Sequence, residues 1–389
     1  MYNKNICIVS DCQQVLGVGG TETVSYLLKQ EFINNGYNVW SFYLNPKTFQ
    51  TERDIEFPEK EDICSIENKR VFIETITKNH IEVIISQGAP YKDLLDLCIE
   101  AKKATKAKLI YCYHFNPLKA SREYDDYKER FLQNRHFLLR PLYSFYFEIK
   151  RNSFINNDIS FFKKIEIEAI DTFVSLNKKF TDFLQTLYPQ QFKERFHTIV
   201  NPIILDDCTQ TTNKENIILF VGRLTYQKRL DRLLVIWKEL QDEFKNWKVI
   251  IVGEGNYANE YKTLAKELQL RNVEFVGQQP SEEFYKRSKI VCMTSSHESF
   301  GMVLVEAQKF GCAPIAYNSF ETATDIIENW HNGVLIEPYK KKELIAVLKK
   351  LMTDDDNIKR LADNGHEYIK KFDSKIIIKD WLNLIKSLE

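Results

Sequence analysis

Short and almost continuously apolar runs, each followed by an amphipathic stretch, recur along the whole chain and limit the folds it can adopt. Runs of this kind are typical of strands buried on both faces of a parallel sheet. The polar stretch 206–216 separates two series of runs and is predicted to be a linker. The predicted strands are 5–11, 37–44, 81–88, 108–114, 171–177 and 197–203, then 217–223, 247–255, 272–278, 289–296, 312–319 and 332–338. Strands and helices alternating in two series predict two doubly wound α/β domains, which bind ligands at the carboxyl ends of their strands.

Length and charge narrow the class of protein further. With 389 residues, of which 44% are hydrophobic, the chain can form two domains and a buried cleft, because single cores rarely exceed about 250–300 residues. The 54 basic and 54 acidic residues balance, so no overall charge favours nucleic acid as a partner. The eight cysteines show no C-x-x-C pairing, and the chain start is too weakly apolar for a signal peptide. A reducing cytoplasm is therefore expected, and no uncharged apolar run approaches the roughly 18 residues of a membrane span.

A glycine-rich loop follows the first predicted strand. Gly17, Gly19 and Gly20 precede a helix that is predicted to begin near Thr21, with Glu22 in its first turn. Glycines let the backbone approach a ligand closely, and the unpaired amides of a helix start favour an anion or a sugar. Such turns also occur for packing alone, so the loop is either part of a ligand site or a tight connection.

Two basic residues follow the first strand of the second series. Arg223 stands at the end of that strand, and Lys228 lies before the next predicted helix. Two cations placed in this way can converge on one anionic group at the edge of the sheet. The alternative is a solvated turn, and Arg229 is interpreted as a solvated residue that flanks the helix.

The segment ESFGMVLVE places one carboxylate before an apparent helix and another about two turns inside it. Glu298 lies in a Ser-rich turn, where it can accept hydrogen bonds from hydroxyl groups, and Phe300, Gly301 and Met302 would offer free amides to a phosphate. Glu306 lies on an otherwise apolar stretch, where a carboxylate is costly unless it is paired or hydrogen-bonded. The alternative is structural, with Glu298 capping the helix and Glu306 bonding a neighbouring strand.

Taken together, these motifs resemble the retaining glycosyltransferases of the GT-B fold, in particular family 4, the glycosyl transferases group 1. The stretches that carry the resemblance cover nearly the whole chain in the right order: GVGGTE, FVGRLTYQKRLDRLL, IVGEGN, VEFVGQ, ESFGMVLVE and GCAPIAYNS. The resemblance is most specific over residues 217–338. It implies two Rossmann-like domains facing across a cleft: an acceptor-binding domain of residues 1–203 with the C-terminal helix 374–389, and a donor-binding domain of residues 204–373.

The resemblance also implies roles for individual residues in donor binding. Arg223 and Lys228 match the pair that binds the diphosphate of the donor. Glu298 matches the carboxylate near the transferred sugar, and Glu306 matches the carboxylate on the ribose hydroxyls. The other donor-binding residues that it implies are Gly19, Gly20, Val276, Gly277, Phe300, Gly301 and Met302.

In the first half of the chain the resemblance is looser. His114, at the end of the fourth predicted strand, matches a His that the family often has close to the donor sugar, and it joins Glu298, Arg223 and Lys228 as a catalytic candidate. A lone His is otherwise more often structural. Asn201 stands in the place of the family's Pro-Asn-Gly stretch, from which the Gly is missing.

The activity implied is transfer of a sugar from a nucleotide sugar to a glycan, lipid-linked or protein acceptor in cell-surface glycan biosynthesis. UDP-hexose and UDP-N-acetylhexosamine are the commonest donors of the family, and retention of configuration is inherited from it. Arg223, Lys228 and helix-start amides can stabilise the departing diphosphate, so no metal or cofactor is expected. The acidic run at 353–357 is interpreted as a solvated helix cap. A non-catalytic sugar or nucleotide binder and a nucleotide-sugar epimerase of the same fold are the rival classes.

The stretch 130–151 differs from the rest of the chain in charge and aromatic content. It contains five Arg or Lys, one acidic residue and six Phe or Tyr. One hypothesis is a patch that binds an anionic membrane surface, which would place the protein at the inner face of the plasma membrane. The alternative is the aromatic core of a helix pair. Nucleic acid binding is not expected, because no recognition motif accompanies the patch.

The end of the chain is predicted to be an amphipathic helix. Its apolar residues stand at helical spacing, and they are Ile376, Ile377, Trp381, Leu382, Leu384 and Ile385. The resemblance implies that this helix packs on the N-terminal domain, with hinges near 202–216 and 368–373.

Overall fold

The structure is a computed structural model that describes residues 4–16, 19–46, 51–87, 92–117, 119–133, 140–205 and 213–389. The chain forms two compact units. Unit 1 comprises Met1–Pro117, Ile159–Ile204 and Lys371–Glu389, and unit 2 comprises Leu118–Asp158 and Leu205–Lys370. The domain division from the sequence assigned residues 118–158 to the N-terminal domain, whereas their contacts place them in unit 2, and the other boundaries differ by one to three residues.

Within the described residues, unit 1 is built on a parallel sheet of seven strands. These are β1 (Asn5–Cys12), β2 (Asn38–Asn45), β3 (Asp54–Glu56), β4 (Val83–Ser86), β5 (Lys108–Tyr113), β6 (Thr172–Ser175) and β7 (Phe196–Thr198). Their order in the sheet is β3-β2-β1-β4-β5-β6-β7. The four consecutive residues 6–9 of β1 are each 0% exposed, so this strand is covered on both faces, as the apolar runs predicted. All six strands expected in this half are present. The additional strand β3 is too short to leave a pattern in the sequence.

Helices pack on both faces of this sheet. They are α1 (Gly20–Asn34), α2 (Ile66–Lys78), α3 (Lys92–Thr105), α6 (Lys178–Gln185) and α14 (Ser374–Ser387). Asn177 directly precedes α6, and its side chain accepts hydrogen bonds from the backbone amides of Lys179 and Phe180. This residue is therefore an N-cap.

The C-terminal helix α14 packs against α1 within unit 1. The rings of Trp381 and Phe32 meet edge to face with centroids 6.2 Å apart. The buried apolar residues of α14 are Ile377, Ile378, Trp381, Leu384 and Ile385. The prediction that Ile376 lies on the buried face was wrong, because its side chain is 45% exposed and Ile378 takes that place. Backbone hydrogen bonds from Ile203 to Phe372 and from Ser374 to Ile203, both 2.8 Å, join the chain segments at the two predicted hinges.

In the described residues of unit 2, six parallel strands form a second sheet. These are β8 (Glu215–Val221), β9 (Lys248–Val252), β10 (Val273–Gly277), β11 (Ser288–Met293), β12 (Ala313–Tyr317) and β13 (Val334–Ile336). Their order is β10-β9-β8-β11-β12-β13. All six strands of the second series are thus confirmed. The predicted linker 206–216 was too long at its end, because β8 begins at Glu215 and the Lys214 ammonium donates a hydrogen bond of 2.9 Å to the Ser288 carbonyl. Residues 206–212 lie outside the described part of the chain.

The sheet of unit 2 is likewise flanked by helices. They are α7 (Leu230–Leu240), α8 (Ala258–Glu267), α9 (Glu282–Arg287), α10 (Met302–Lys309), α11 (Ala323–Ile326), α12 (Lys341–Met352) and α13 (Asp355–Tyr368). The acidic run at 353–357 is a helix cap, as predicted, because the Asp354 side chain accepts a hydrogen bond of 2.9 Å from the Asn357 amide at the start of α13.

Two long helices, α4 (Lys119–Gln133) and α5 (Arg140–Lys163), complete the fold. Their residues 119–158, of which 134–139 lie outside the described part, belong to unit 2 and are called the arm below. The ring centroid of Phe131 in α4 lies 5.1 Å from that of Tyr143 and 5.2 Å from that of Phe147, both in α5. The hypothesis of an aromatic core therefore fits these residues. Phe145 and Tyr146 point outward, with 71% and 50% of their surface exposed.

Within the described ranges, no helix has the length and apolar character needed to cross a bilayer.

Candidate functional site

The carboxyl edge of the sheet in unit 2 carries the charged residues that the sequence indicated. In this sheet β8 lies between β9 and β11, and doubly wound sheets bind ligands at such a switch point in strand order. Lys228 follows β8, and Glu298 follows β11. The Lys228 ammonium donates a hydrogen bond of 2.6 Å to Glu298 Oε1. The fold thus brings together two motifs that are 70 residues apart in the sequence.

This ion pair is largely withdrawn from water. The side chains of Lys228 and Glu298 are 18% and 9% exposed, so each charge needs the other in this environment. The stem of Lys228 runs against Gly222, where an added Cβ would lie 3.4 Å from the Lys228 Cε. The carbon chain of Lys228 thus lies beside Gly222 while its ammonium bonds to Glu298.

The end of β9 supports the same loop through a glycine. Gly253 has a φ of +136°, and an added Cβ would lie 2.0 Å from the Gly222 carbonyl oxygen. Backbone hydrogen bonds from Gly222 to Val252, 3.0 Å, and from Leu224 to Glu254, 2.9 Å, join the two strand ends. The first glycine of the IVGEGN motif thus allows the loop after β8 to pack on β9.

The turn after β11 is tied to the loop that carries Lys228. The Ser296 amide donates to the Gln227 carbonyl at 2.9 Å, and the Gln227 side-chain amide donates to the His297 carbonyl at 2.9 Å. Glu298, the next residue, bonds to Lys228 and not to the start of the following helix. The structural alternative, in which Glu298 caps that helix, is therefore not what the chain adopts.

A glycine shapes the start of α10. Gly301 has a left-handed backbone with a φ of +93°, and an added Cβ would lie 3.0 Å from the Phe320 ring. The Thr322 hydroxyl donates a hydrogen bond of 2.7 Å to the Phe300 carbonyl, which fixes the residue before the glycine. Met302 is the first residue of the helix. The first amides of a helix generally lack an intrahelical partner, and here the Leu304 amide bonds back to the Gly301 carbonyl at 2.9 Å.

Glu306 lies on the same helix, one turn from its start. The predicted two turns were too many, because α10 begins at Met302. The Tyr285 hydroxyl donates a hydrogen bond of 2.8 Å to Glu306 Oε2, so the partner is a residue of α9 and not of a strand. Burial raises the pKa of Glu306 above its usual value, and the hydrogen bond from Tyr285 opposes the shift. The other carboxylate oxygen makes no hydrogen bond within the described residues.

The remaining donor-binding candidates lie along the same edge without bonding to this ion pair. Arg223 is exposed and forms no ion pair within the described residues. Val276 and Gly277 end β10, and the Gly277 carbonyl accepts a hydrogen bond of 2.8 Å from the Gly253 amide. They are separated from β8 by β9.

The interpretation of Arg229 as a solvated flanking residue was wrong. Its side chain is buried, with 5% of its surface exposed. The guanidinium donates to both carboxylate oxygens of Asp126 at 2.5 and 2.6 Å and to Asp231 at 2.8 Å. Sequence reasoning could not find this pair, because Asp126 lies 103 residues earlier.

The glycine loop of unit 1 leads into α1, as predicted. Gly17 lies outside the described residues, and α1 begins at Gly20. An added Cβ at Gly19 would lie 2.3 Å from Glu22 Oε2. The Glu22 carboxylate therefore occupies the space beside this helix start, and an anionic ligand there would have to displace it.

His114 follows β5 at the carboxyl edge of the sheet in unit 1 and is 5% exposed. Its Nε2 is hydrogen-bonded to the Gln87 side-chain oxygen, and in this arrangement Nε2 carries the proton and donates the bond. Its Nδ1 has no hydrogen-bond partner within the described residues. Burial lowers the pKa of His114 from 6.5 to about 4, and Asn201 opposes the shift. His114 is thus a neutral imidazole with a lone pair available at Nδ1.

The lowered pKa of His114 predicts a pH dependence of stability. Between pH 6.5 and about 4 the unfolded chain binds a proton at this residue that the folded chain does not. The contribution of His114 to the free energy of unfolding is therefore fully present above pH 6.5. It is lost as the pH falls toward 4, by on the order of 3 kcal/mol. Urea unfolding at pH 7 and pH 4.5 should show a smaller loss for His114→Asn than for the wild type. The exposed His331, changed to Asn, is the matched control and should leave the loss unchanged.

Within the described ranges, no group of three or more His, Cys, Asp or Glu side chains is placed to hold a metal ion.

Sequence reasoning missed three residues that support the site, and they are Gln87, Asp126 and Tyr285. Gln87 directly follows a buried strand, which is a signal that could have identified it. Nothing in the local sequence marks the other two.

Comparison with known proteins finds a family match for the part of the chain that carries the Lys228–Glu298 pair. Residues 207–368 match the family of glycosyl transferases group 1. The chain is 33% identical over 177 residues to the amylovoran biosynthesis glycosyltransferase AmsD of Erwinia amylovora, covering 44% of this chain and 48% of AmsD. It is 28% identical over 211 residues to the GalNAc-alpha-(1->4)-GalNAc-alpha-(1->3)-diNAcBac-PP-undecaprenol alpha-1,4-N-acetyl-D-galactosaminyltransferase of Campylobacter jejuni. This match covers 52% of this chain and 58% of the relative. The chain spans about half the length of these curated relatives.

Similarity to solved structures extends over the whole chain. HepE of Anabaena in complex with UDP and glucose superposes with a TM-score of 0.73 at 14% identity, covering 99% of this chain and 100% of HepE. This similarity and the two parallel-sheet units show that the fold is GT-B, as the sequence predicted.

Proposed function

We propose that the chain is a glycosyltransferase that moves a sugar from a nucleotide sugar to an acceptor in cell-surface glycan biosynthesis. The observation that carries the proposal is the contact between Lys228 and Glu298, 2.6 Å, at the switch point of the sheet in unit 2. Both residues lie in the segment that matches glycosyl transferases group 1. A cation for a diphosphate and a carboxylate for sugar hydroxyls thus stand side by side.

Charge explains what each residue would do. Breaking the bond between the anomeric carbon and the phosphate leaves an additional negative charge on the nucleoside diphosphate. Lys228, exposed Arg223 and the amides beside Gly301 would stabilise that charge, and preorganised groups of this kind are usually the largest single contribution to catalysis. Glu298 would accept hydrogen bonds from the transferred sugar. Glu306, whose Oε2 is held by Tyr285, would accept from the ribose with its other oxygen.

His114 would act as a hydrogen-bond acceptor and not as an acid. Its buried, neutral ring has the Nε2 proton engaged by Gln87, so a sugar hydroxyl would donate to Nδ1. Because the two cationic side chains can neutralise the departing diphosphate, the proposal includes catalysis without a metal. It also includes retention of the anomeric configuration through attack on the face that the diphosphate leaves.

A UDP-linked hexose or N-acetylhexosamine is the donor that we propose. Two similar proteins support this proposal: the HepE structure contains UDP, and the Campylobacter jejuni relative is named as an N-acetylgalactosaminyltransferase acting on an undecaprenol-linked glycan. The same name supports a glycan or lipid-linked acceptor.

Release of nucleoside diphosphate tests the proposal. The protein would be incubated with UDP, GDP and ADP sugars, with and without EDTA, and with candidate acceptors. We expect release from one donor, faster with its acceptor and unchanged by EDTA. The anomeric configuration of the product, determined by NMR, should match that of the donor. A folded protein that binds a nucleotide sugar but releases no diphosphate would favour the non-catalytic binder instead, and loss of activity in EDTA would contradict metal independence.

A further inference from the structure

Helix α4 of the arm contacts the loop that carries Lys228. The Asp126 side chain on this helix is 0% exposed and accepts hydrogen bonds from three residues of unit 2. The Tyr226 hydroxyl donates at 2.7 Å, the Arg229 guanidinium at 2.5 and 2.6 Å, and Arg232 also bonds to Asp126 Oδ1. A buried carboxylate shared by two guanidinium groups is stable only while these partners stay in place.

The partners of Asp126 flank Lys228 on both sides. Tyr226 and Lys228 are the first and last residues of a single 3-10 turn, and Arg229 follows directly. The Thr294 hydroxyl donates to the Arg229 carbonyl at 2.9 Å, which connects this turn to the end of β11. The position of the Lys228 backbone therefore depends on residues that Asp126 holds.

Arg229 has a backbone conformation that is unusual for a residue other than glycine. Its φ of 49° and ψ of 45° are left-handed, a conformation that favours glycine and is costly for other residues. A residue persists in such a conformation when its surroundings determine it strongly, and such residues concentrate at functional sites. Here the Arg229 side chain is held by its ion pairs with Asp126 and Asp231.

The same face of α4 also reaches the second loop of the site. Glu123 lies one turn before Asp126, and its Oε1 is 3.8 Å from the His297 Nε2. His297 is the residue directly before Glu298. One helix face thus contacts both loops that form the Lys228–Glu298 pair.

We propose that Asp126 is a positioning residue for the loop that carries Lys228. Docking of the arm and binding of nucleoside diphosphate would then strengthen each other. The inference rests on the proposed function in one respect, which is that Lys228 binds the diphosphate. If the docked arm holds Lys228 in its binding position, bound nucleotide must by linkage hold the arm in its docked position to the same extent.

The affinity of nucleoside diphosphate tests the first half of this coupling. UDP, GDP and ADP would be titrated into the full chain by calorimetry, and the tightest ligand of the wild type would be used for the variants. We expect Asp126→Asn to weaken binding by about tenfold, within the range of typical coupling between sites. Asp125→Asn is the matched control, because Asp125 pairs with Arg151 inside the arm at 2.9 Å, and it should bind as the wild type does.

Trypsin cleavage of the arm tests the other half. The arm contains Lys128, which is partly exposed, and Lys150, which is exposed. Nucleotide should slow cleavage in the wild type and in Asp125→Asn, and it should have no effect in Asp126→Asn. If Asp126 had a purely structural role, Asp126→Asn would be cleaved at a different rate from the wild type. Nucleotide would then not change the cleavage rate of the wild type.

The outcomes separate this inference from the proposed function. Equal affinities of the wild type and Asp126→Asn would overturn the inference alone. If no nucleoside diphosphate binds the wild type, both fail. Should Asp126→Asn not fold, Tyr226→Phe removes one hydrogen bond and leaves all charges, and it should weaken binding by about threefold. Unchanged binding by that variant would also overturn the inference.

Discussion

Replacing Lys228 with Ala is expected to lower kcat for sugar transfer by about 100- to 1000-fold, the range found when one preorganised group that stabilises developing negative charge is removed. In the proposed reaction the ammonium faces the departing diphosphate, whose charge grows as the sugar–phosphate bond breaks. The effect on kcat should therefore exceed the effect on KM for the donor, because the interaction is stronger in the transition state. Initial rates of nucleoside diphosphate release measure both quantities.

Two variants control for effects other than the lost charge. Lys238→Ala removes a cation from the exposed surface of α7 and should retain wild-type rates. Lys228→Arg keeps the charge and should recover part of the activity. Because Lys228→Ala leaves the buried Glu298 without its ion pair, thermal unfolding must show that the variant is folded at the assay temperature. A folded Lys228→Ala protein with kcat within about twofold of the wild type would exclude Lys228 from the chemical step.

The sheets of both units were predictable because their strands are buried on two faces. Residues 6–9 of β1 are all apolar and fully buried, so their run is visible without any knowledge of neighbours. Charged residues directly after strands were predictable for a related reason, since the carboxyl ends of parallel strands meet at one edge. Lys228 and Glu298 both lie at that edge, although the contact between them was not predicted. The apolar character of a strand and its last residue are local properties of the sequence.

Contacts between distant segments were not predictable in this way. Arg229 resembles a solvated residue when only its neighbours are considered, and its burial depends on Asp126, 103 residues away. The arm belongs by contact to unit 2 although its sequence lies between β5 and β6 of unit 1. Nothing local records which surface a helix pair will pack against. For the same reason the partner of Glu306, Tyr285, follows from the fold alone.

Replacing Trp381 with Ala is expected to lower the free energy of unfolding of unit 1 by about 3–5 kcal/mol, the usual range for a large aromatic residue in a core. Trp381 is 3% exposed and packs edge to face on Phe32 of α1. Since whole domains are stable by only about 5–15 kcal/mol, this loss is a large fraction of the total. Urea unfolding followed by circular dichroism measures it. Ile376→Ala, on the exposed face of the same helix, is the matched control and should change the value by less than about 0.5 kcal/mol.

The same substitution should separate nucleotide binding from sugar transfer. Trp381 and His114 line one small cavity of unit 1, together with Val24 and Leu28 of α1, so losing the indole enlarges the cavity that the imidazole lines. Lys228 and Glu298 belong to unit 2, whose own core does not include α14. We therefore expect Trp381→Ala, and more completely the deletion of residues 374–389, to abolish transfer at temperatures where unit 1 unfolds, while UDP still binds. A truncated protein that transfers sugar at the wild-type rate would contradict this role of the C-terminal helix.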